Sequence, residues 1–413
     1  MKTLTCVLAL VLVALGARAG EEVEIDGRLH VRNPAVPPEG VVTIELEELW
    51  RFGGDEGEVL LGLPTGLGTD TAGRIHVLDA QLNQVHILDA DGKLLATRFR
   101  EGDGPGEIRN PSDLIVWPDG TLGIVQEFPG TVVRLAPDGT PLPSLHPGGP
   151  TAEGGWGVLM SGAPRGADGL VVCGQMTRQD DSGEPQRRRY LAAFDGDGAL
   201  ESVMFEETAP PRDRTRRPRE EEMLRPYMTA WDTGPDGSLV TAYLWDEYKL
   251  LMYGADGKLA RVIEREHEPW RRTDADRAFM LHLFGLPADA EPPIEFAETE
   301  SAVSIMQHGV TITADGEIWV LPSRGSRELP DGVLARFDVF DARGHFRRQV
   351  DVRCEGDPRN DRLVPLPGGR MIRQRRFVDA FVTSLGPGAL PADETGGDQS
   401  PAVICYRIRT PGS

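Results

Sequence analysis

The chain has 413 residues, with 65 acidic against 44 basic side chains and a formal net charge of -21. That balance argues against nucleic acid and anionic membrane surfaces as partners, because both demand basic patches. Length alone suggests two or three domains, a prior that an internal repeat overrides below.

Lys2, an apolar run from Leu4 to Leu15 and the small residues around Ala17, Arg18 and Ala19 follow one another as in a secretory signal. Residues 1–19 are therefore expected to be removed near Ala19 and the mature chain exported, to the periplasm or the exterior. The run is too short to cross a bilayer comfortably, the alternative being an uncleaved anchor, and no integral membrane span is expected after cleavage. Residues 20–40 read as a lead with little periodicity. Val41–Trp50, "VVTIELEELW", alternates apolar with polar residues, as a half-buried strand does.

From Asp70 onward a turn signature recurs six times, with glycines at Gly73, Gly120, Gly169, Gly237, Gly316 and Gly369. Each opens a short apolar strand, and Gly permits the positive φ that such turns need. A second series interleaves with it, at Gly92, Gly139, Gly198, Gly257 and Gly344. Two hairpin turns per unit imply four strands. The last unit lacks its second turn, so Val41–Trp50 is expected to pair beside the strand that holds Cys405 and to close the ring. The expectation is an all-β, six-bladed β-propeller over 41–410.

In such units the two tight turns share one face, and the remaining loops lie on the other. That second face receives 100–111, 146–156, 178–188, 210–227, 267–308, 323–332 and 386–400. Within it, Thr273 as N-cap, Asp276 three residues on and Pro287 at the end predict a short helix between the fourth and fifth units. Phe279, Leu281 and Phe284 are its apolar face, set over the channel end or on the rim. Long loops gathered on a rigid scaffold are the usual seat of function. Ligand or partner contact is therefore expected on the loop face, through Arg225, Tyr227, Trp270 and His308, with a protein, peptide or carbohydrate as occupant.

"GRIHVLDAQLNQVHILDADGKLL" (Gly73–Leu95), "GDGPGEIRNPSDLIV" (Gly102–Val116) and "DGEIWVL" (Asp315–Leu321) resemble the six-bladed propellers of the NHL-repeat and TolB-like group. The resemblance covers most of the mature chain, and it implies the fold alone, since the group includes binding scaffolds, lactonases and lyases. The reading is a binding or interaction module; the alternative is a hydrolase or lyase with its site at the channel end.

Candidate chemistry is sparse. No two histidines have metal-binding spacing on one element, and no nucleophile motif of the G-x-S-x-G type is present. No metal or cofactor is predicted. His76 and His86 read as cross-strand neighbours, while His146 and His308 fall on the loop face. Asp103 and Glu107 have calcium-ligand chemistry but sit where a rigid turn is expected. Arg212, Arg214, Arg216, Arg217 and Arg219 precede Glu220, Glu221 and Glu222 and read as a self-neutralising loop. Cys173 reads as a buried hydrophobe. Cys354 and Cys405 are possible neighbours, with their pairing left open.

Overall fold

The computed structural model describes residues 20–55, 57–147, 155–179, 183–209, 215–384 and 400–410. Residues 1–19, expected to be a signal, and Arg212 and Arg214 lie outside these residues. Three sheets are four-stranded and antiparallel, over Pro64–Arg98, Pro111–Leu145 and Gly155–Ala209. A fourth spans Trp231–Arg265 and gains two strands from the N-terminus, and an eight-stranded sheet joins Val310–Arg353 to Arg362–Arg409. The chain is thus mostly β, in four-stranded units, and the first strands of the units surround one central cavity as in a β-propeller.

Residues 20–40, expected as a lead, instead form a hairpin of β1 (Glu21–Ile25) and β2 (Arg28–Asn33). β2 runs parallel to Leu259–Arg265 and extends that sheet. Asn33 fixes its end: its amide donates to Gly344 O at 2.9 Å and its Oδ1 accepts from Phe346 N at 2.8 Å. The sequence conceals this because the hairpin is tied by main-chain pairing to a distant strand and by one buried amide, rather than by an apolar stripe.

β3 (Val41–Gly53) joins the two halves of the eight-stranded sheet. Its start pairs in parallel with Phe346–Arg353, and its remainder pairs antiparallel with Ala402–Arg409, placing Trp50 opposite Cys405. The register shifts between Cys405 and Tyr406, so one extra residue is inserted at Leu49. Such a bulge inverts the side on which later residues point. Accordingly Val42, Ile44 and Leu46 pack with Val350 and Val352, whereas Trp50 and Phe52 pack with Ile75, Leu88 and Cys405. Gly92 has φ +80° and lies against the Trp50 ring, where a Cβ would meet ring carbon at 2.4 Å. The turn therefore needs glycine twice over, for its conformation and for the indole it carries.

Cys173, Cys354 and Cys405 are free thiols. Cys354 packs beside Tyr406 and Leu46, while Cys405 belongs to the cluster on the other face of its strand. The period of two in a strand sends Cys405 and Tyr406 to opposite faces, which separates the two sulfurs. In the third unit the positive φ is at Gly166 (+66°), not at the expected Gly169.

Hydrogen bonds link successive units near the axis. Thr71 Oγ1 donates to Pro118 O at 2.7 Å, Gly162 N to Asp113 at 3.0 Å and Thr233 Oγ1 to Pro164 O at 2.9 Å. Ile312 N donates to Asp232 at 2.8 Å, Gln307 Nε2 to Asp361 O at 2.6 Å and Gln374 Nε2 to Pro64 O at 3.2 Å.

Among the described residues three short α-helices decorate the loop side: α1 (Glu220–Met223), α2 (Asp274–Leu283) and α3 (Phe377–Ser384). α2 is the helix expected from Thr273, whose side chain accepts from Asp276 N in a capping box. It ends at Leu283, before Pro287, with Gly285 at φ +65°. Its Met280 and Leu283 pack on Phe377 and Val378 of α3.

Candidate functional site

The central cavity has a volume of about 960 Å³. Its walls are the first strands of the units, with Leu67, Leu114, Ser161, Trp231, Val310 and Val364 among the lining residues. Thr71, Pro118, Gly166, Pro235, Asp315 and Gly368 also line it. These belong to the tight turns, so the cavity reaches the tight-turn face, opposite the face that carries the long loops.

The cavity is also lined by Asp113, Asp232, His308 and Arg362. The two aspartates are held alike. Asp113 accepts from Leu114 N at 2.8 Å and from Gly162 N at 3.0 Å. Asp232 accepts from Thr233 N at 2.8 Å and from Ile312 N at 2.8 Å. In each, one oxygen caps the residue's own strand and the other reaches the first strand of the next unit. Main-chain amides thereby fix both carboxyls in place.

Arg362 bonds to Gln374 Oε1 at 3.3 Å, and its guanidinium lies 5.1 Å from the Phe377 ring centroid. The His308 ring meets Phe377 edge-on at 5.6 Å. His308 adopts φ 51°, a left-handed conformation rare outside glycine. Such an outlier persists only where its surroundings over-determine it; here Phe377 backs the ring.

These charged groups expose surface to the cavity while protein encloses them, and their titration reflects it. Burial pushes Asp113 and Asp232 each up to about 6, opposed by their main-chain bonds and by the positive charge of Arg362. Burial lowers Arg362 to about 10, which leaves it charged at neutral pH. His308 is held well below its usual value by burial and by Arg362, so its imidazole is neutral.

A stability prediction follows. In the unfolded chain an aspartate ionises near pH 3.9, whereas these two keep their protons up to about 6. Between those values the folded state binds more protons, so these groups make stability fall as pH rises from about 4 to 6. The melting temperature of the wild type is expected to decline more steeply over that window than that of Asp232→Asn, which lacks one titration. Equal slopes would show that the carboxyl ionises normally.

The four residues expected to make loop-face contacts do not converge. Arg225 and Tyr227 meet on one carboxylate, Glu207, with Arg225 Nη2 at 3.0 Å and the Tyr227 hydroxyl at 2.7 Å. Tyr227 is only 1% exposed and its ring belongs to an apolar core cluster. Trp270 donates to Asp276 Oδ2 at 3.1 Å and lines a separate recess of about 180 Å³. In that recess the guanidiniums are engaged: Arg265 with Asp338, Arg327 with Asp276 and Arg336 with Asp351. His308 alone of the four lines the central cavity.

Other candidates have structural partners. His76 and His86 project to opposite faces, since His86 stands opposite Val77 and His76 opposite Ile87; they do not meet. His76 bonds Asp70 at 3.1 Å and His86 bonds Thr97 at 3.3 Å. Asp103 bonds Arg109 at 2.9 Å, and Glu107 bonds Arg100 and Gly104 N, each at 2.8 Å. Arg216 pairs with Glu222 and Arg217 with Glu291. Among the described residues no group of three His, Cys, Asp or Glu is arranged to hold a metal ion.

Sequence reading passed over Asp113, Asp232 and Arg362. Their signal was present: each is a charged residue in the first strand of a unit, "PSDLIV", "WDT" and "RLVPL", where the architecture places the axis. An arrangement of one cation and two amide-held carboxyls beside a large cavity suits binding of a small polar molecule.

No protein family and no curated protein matches the sequence. Among solved structures the chain is similar to regucalcin, a calcium-binding protein from Agrobacterium tumefaciens, at 13% identity and a TM-score of 0.43, covering 90% of this chain and 97% of that one. It is similar to a putative exported protein from Bacteroides fragilis at 9% identity and a TM-score of 0.43, covering 90% and 99%. It is also similar to virginiamycin B lyase from Staphylococcus aureus at 8% identity and a TM-score of 0.37, covering 83% and 94%. At that level of likeness none of them transfers an activity to this chain.

Proposed function

We propose that the chain is an exported six-bladed β-propeller of the NHL-repeat and TolB-like kind that binds a small molecule in its central cavity. Six four-stranded sets, with β3 as the fourth strand of the last, support the ring. The observation that carries the binding reading is the 960 Å³ cavity with Asp113, Asp232 and Arg362 facing it. Cavities of several hundred cubic ångströms with a few placed polar groups are the usual form of ligand sites. Export rests on the leader-like residues 1–19, and N-terminal sequencing of secreted protein beginning near Gly20 would support it.

A ligand-observed NMR screen with neutral fragments tests the binding reading. Hits are expected on the wild type and lost on Thr311→Trp, which fills a wall position. Hits that persist unchanged on Thr311→Trp would place binding elsewhere.

A hydrolase or lyase at the same cavity is the second reading. It is favoured by two carboxyls that titrate near 6, close enough to neutrality for general acid–base work. The loop-face reading, with a protein, peptide or carbohydrate partner, rests on Arg225 and the Trp270 recess. It is weakened because Arg225 and Tyr227 are committed to Glu207.

A further inference from the structure

Arg362 stands apart from the other enclosed arginines. Arg272 pairs with Glu220 and Glu300, Arg327 with Asp276, Arg373 with Asp361, and Arg265 with Asp338. Among the described residues Arg362 forms no ion pair, and its hydrogen bond to Gln374 at 3.3 Å engages one of five donors. Removing a charge from bulk water without a partner is costly. The charges of Asp113 and Asp232 favour its ionised form from a distance, but neither carboxyl forms an ion pair with it, each being tied by two main-chain amides to its place. The Phe377 ring holds the guanidinium from one side, and the cavity lies against it.

We propose that Arg362 is the anchor for a small monocarboxylate ligand of the central cavity, a reading that rests on the cavity being a binding site. A guanidinium presents paired donors that match the two oxygens of a carboxylate. Below about pH 6 Asp113 and Asp232 keep their protons and Arg362 is the one cation among the lining residues, which suits one negative charge; above it both aspartates ionise and repel any anion, a dianion such as phosphate most. The ligand's body meets walls that mix Leu67, Trp231, Val310 and Leu366 with the hydroxyls of Thr69 and Thr311. An aromatic or branched aliphatic acid fits that lining better than a polyol does. Asp315 and Glu317, toward the mouth, are the other acidic groups lining the cavity; Glu317 is paired with Arg348, and His308 is neutral.

The test compares benzoate and isovalerate with benzamide, isovaleramide and inorganic phosphate, by calorimetry on wild type and on Arg362→Gln. The carboxylates are expected to bind wild type at least tenfold more tightly than their amides, and to lose that preference in Arg362→Gln. Phosphate is expected to bind more weakly than either acid. In the wild type, which requires no variant to fold, an arginine Nε–H NMR resonance should shift with benzoate and stay in place with benzamide. Carboxylates that do not bind, that bind no better than amides or phosphate, or that keep their preference in Arg362→Gln would overturn the assignment. If neutral fragments still occupy the cavity in that event, the cavity reading stands and only the ligand class falls. If nothing occupies it, both fall.

Discussion

Deletion of Val41–Trp50 is expected to convert the protein into an aggregating species with no cooperative melt. β3 bonds to two strands at once, parallel to Phe346–Arg353 and antiparallel to Ala402–Arg409. Without it both become bare edges, which are templates for intermolecular pairing. The deletion also empties two core clusters, one of Ile44 and one of Trp50 and Phe52, and it frees the turn at Gly92 that the Trp50 ring covers. A milder variant disrupts the strand at a single position. Leu46→Pro breaks the ladder opposite Ile408 and should cost about 3 kcal/mol or more. Size-exclusion chromatography with light scattering reads the deletion, and chemical denaturation reads the point variant. A monomeric deletion product with a wild-type melting temperature would show that β3 is dispensable to closure.

Arg272→Ala is expected to destabilise the fold by about 3–5 kcal/mol, the usual consequence of leaving one member of a buried ion pair without its partner. Arg272 and Glu220 have side chains that are each only 1% exposed. The guanidinium reaches Glu220 Oε1 at 2.8 Å and Glu300 Oε1 at 3.0 Å, and Glu220 also accepts from Ala297 N at 3.0 Å. Removal of the arginine leaves two carboxylates enclosed with no cation between them. The double variant Arg272→Met/Glu220→Leu should recover part of the loss, because replacing both charges by apolar groups removes the unpaired carboxylate. Denaturant midpoints of the wild type, single and double variants decide this. A single variant within about 1 kcal/mol of wild type would mean that solvent reaches the pair.

The same network explains why the loop side folds as it does. Asp276 caps α2 and also receives Trp270, Arg327 at 3.2 Å and Arg359 at 2.8 Å. Burial opposes its ionisation, but these bonds prevail and hold its carboxyl down at about 2. Loops that looked free to bind a partner are instead cross-linked by buried charge.

What the sequence disclosed follows from what is local. Turn glycines other than Gly169, the capping pair Thr273 and Asp276, and the alternation of Val41–Trp50 are short-range signals, and each corresponds to an element found in place. The bulge at Leu49, the hairpin held by Asn33 and the burial of Tyr227 depend on residues far apart in the chain. The site was the least legible part. Asp113, Asp232 and Arg362 are separated by more than a hundred residues each, and only the ring brings them to one cavity. Attention to long loops pointed at the opposite face, where partners for the charged residues lie within the protein itself.

The central claim is that ligand binds among the first strands, at the axis. Hydrogen exchange with and without saturating benzoate tests it most directly. The account predicts added protection in Pro111–Val116, Trp231–Thr233, Val310–Ile312 and Arg362–Leu366, the strands that line the cavity. Protection confined to the loop side, around Trp270 and α2, with those strands unchanged, would contradict it.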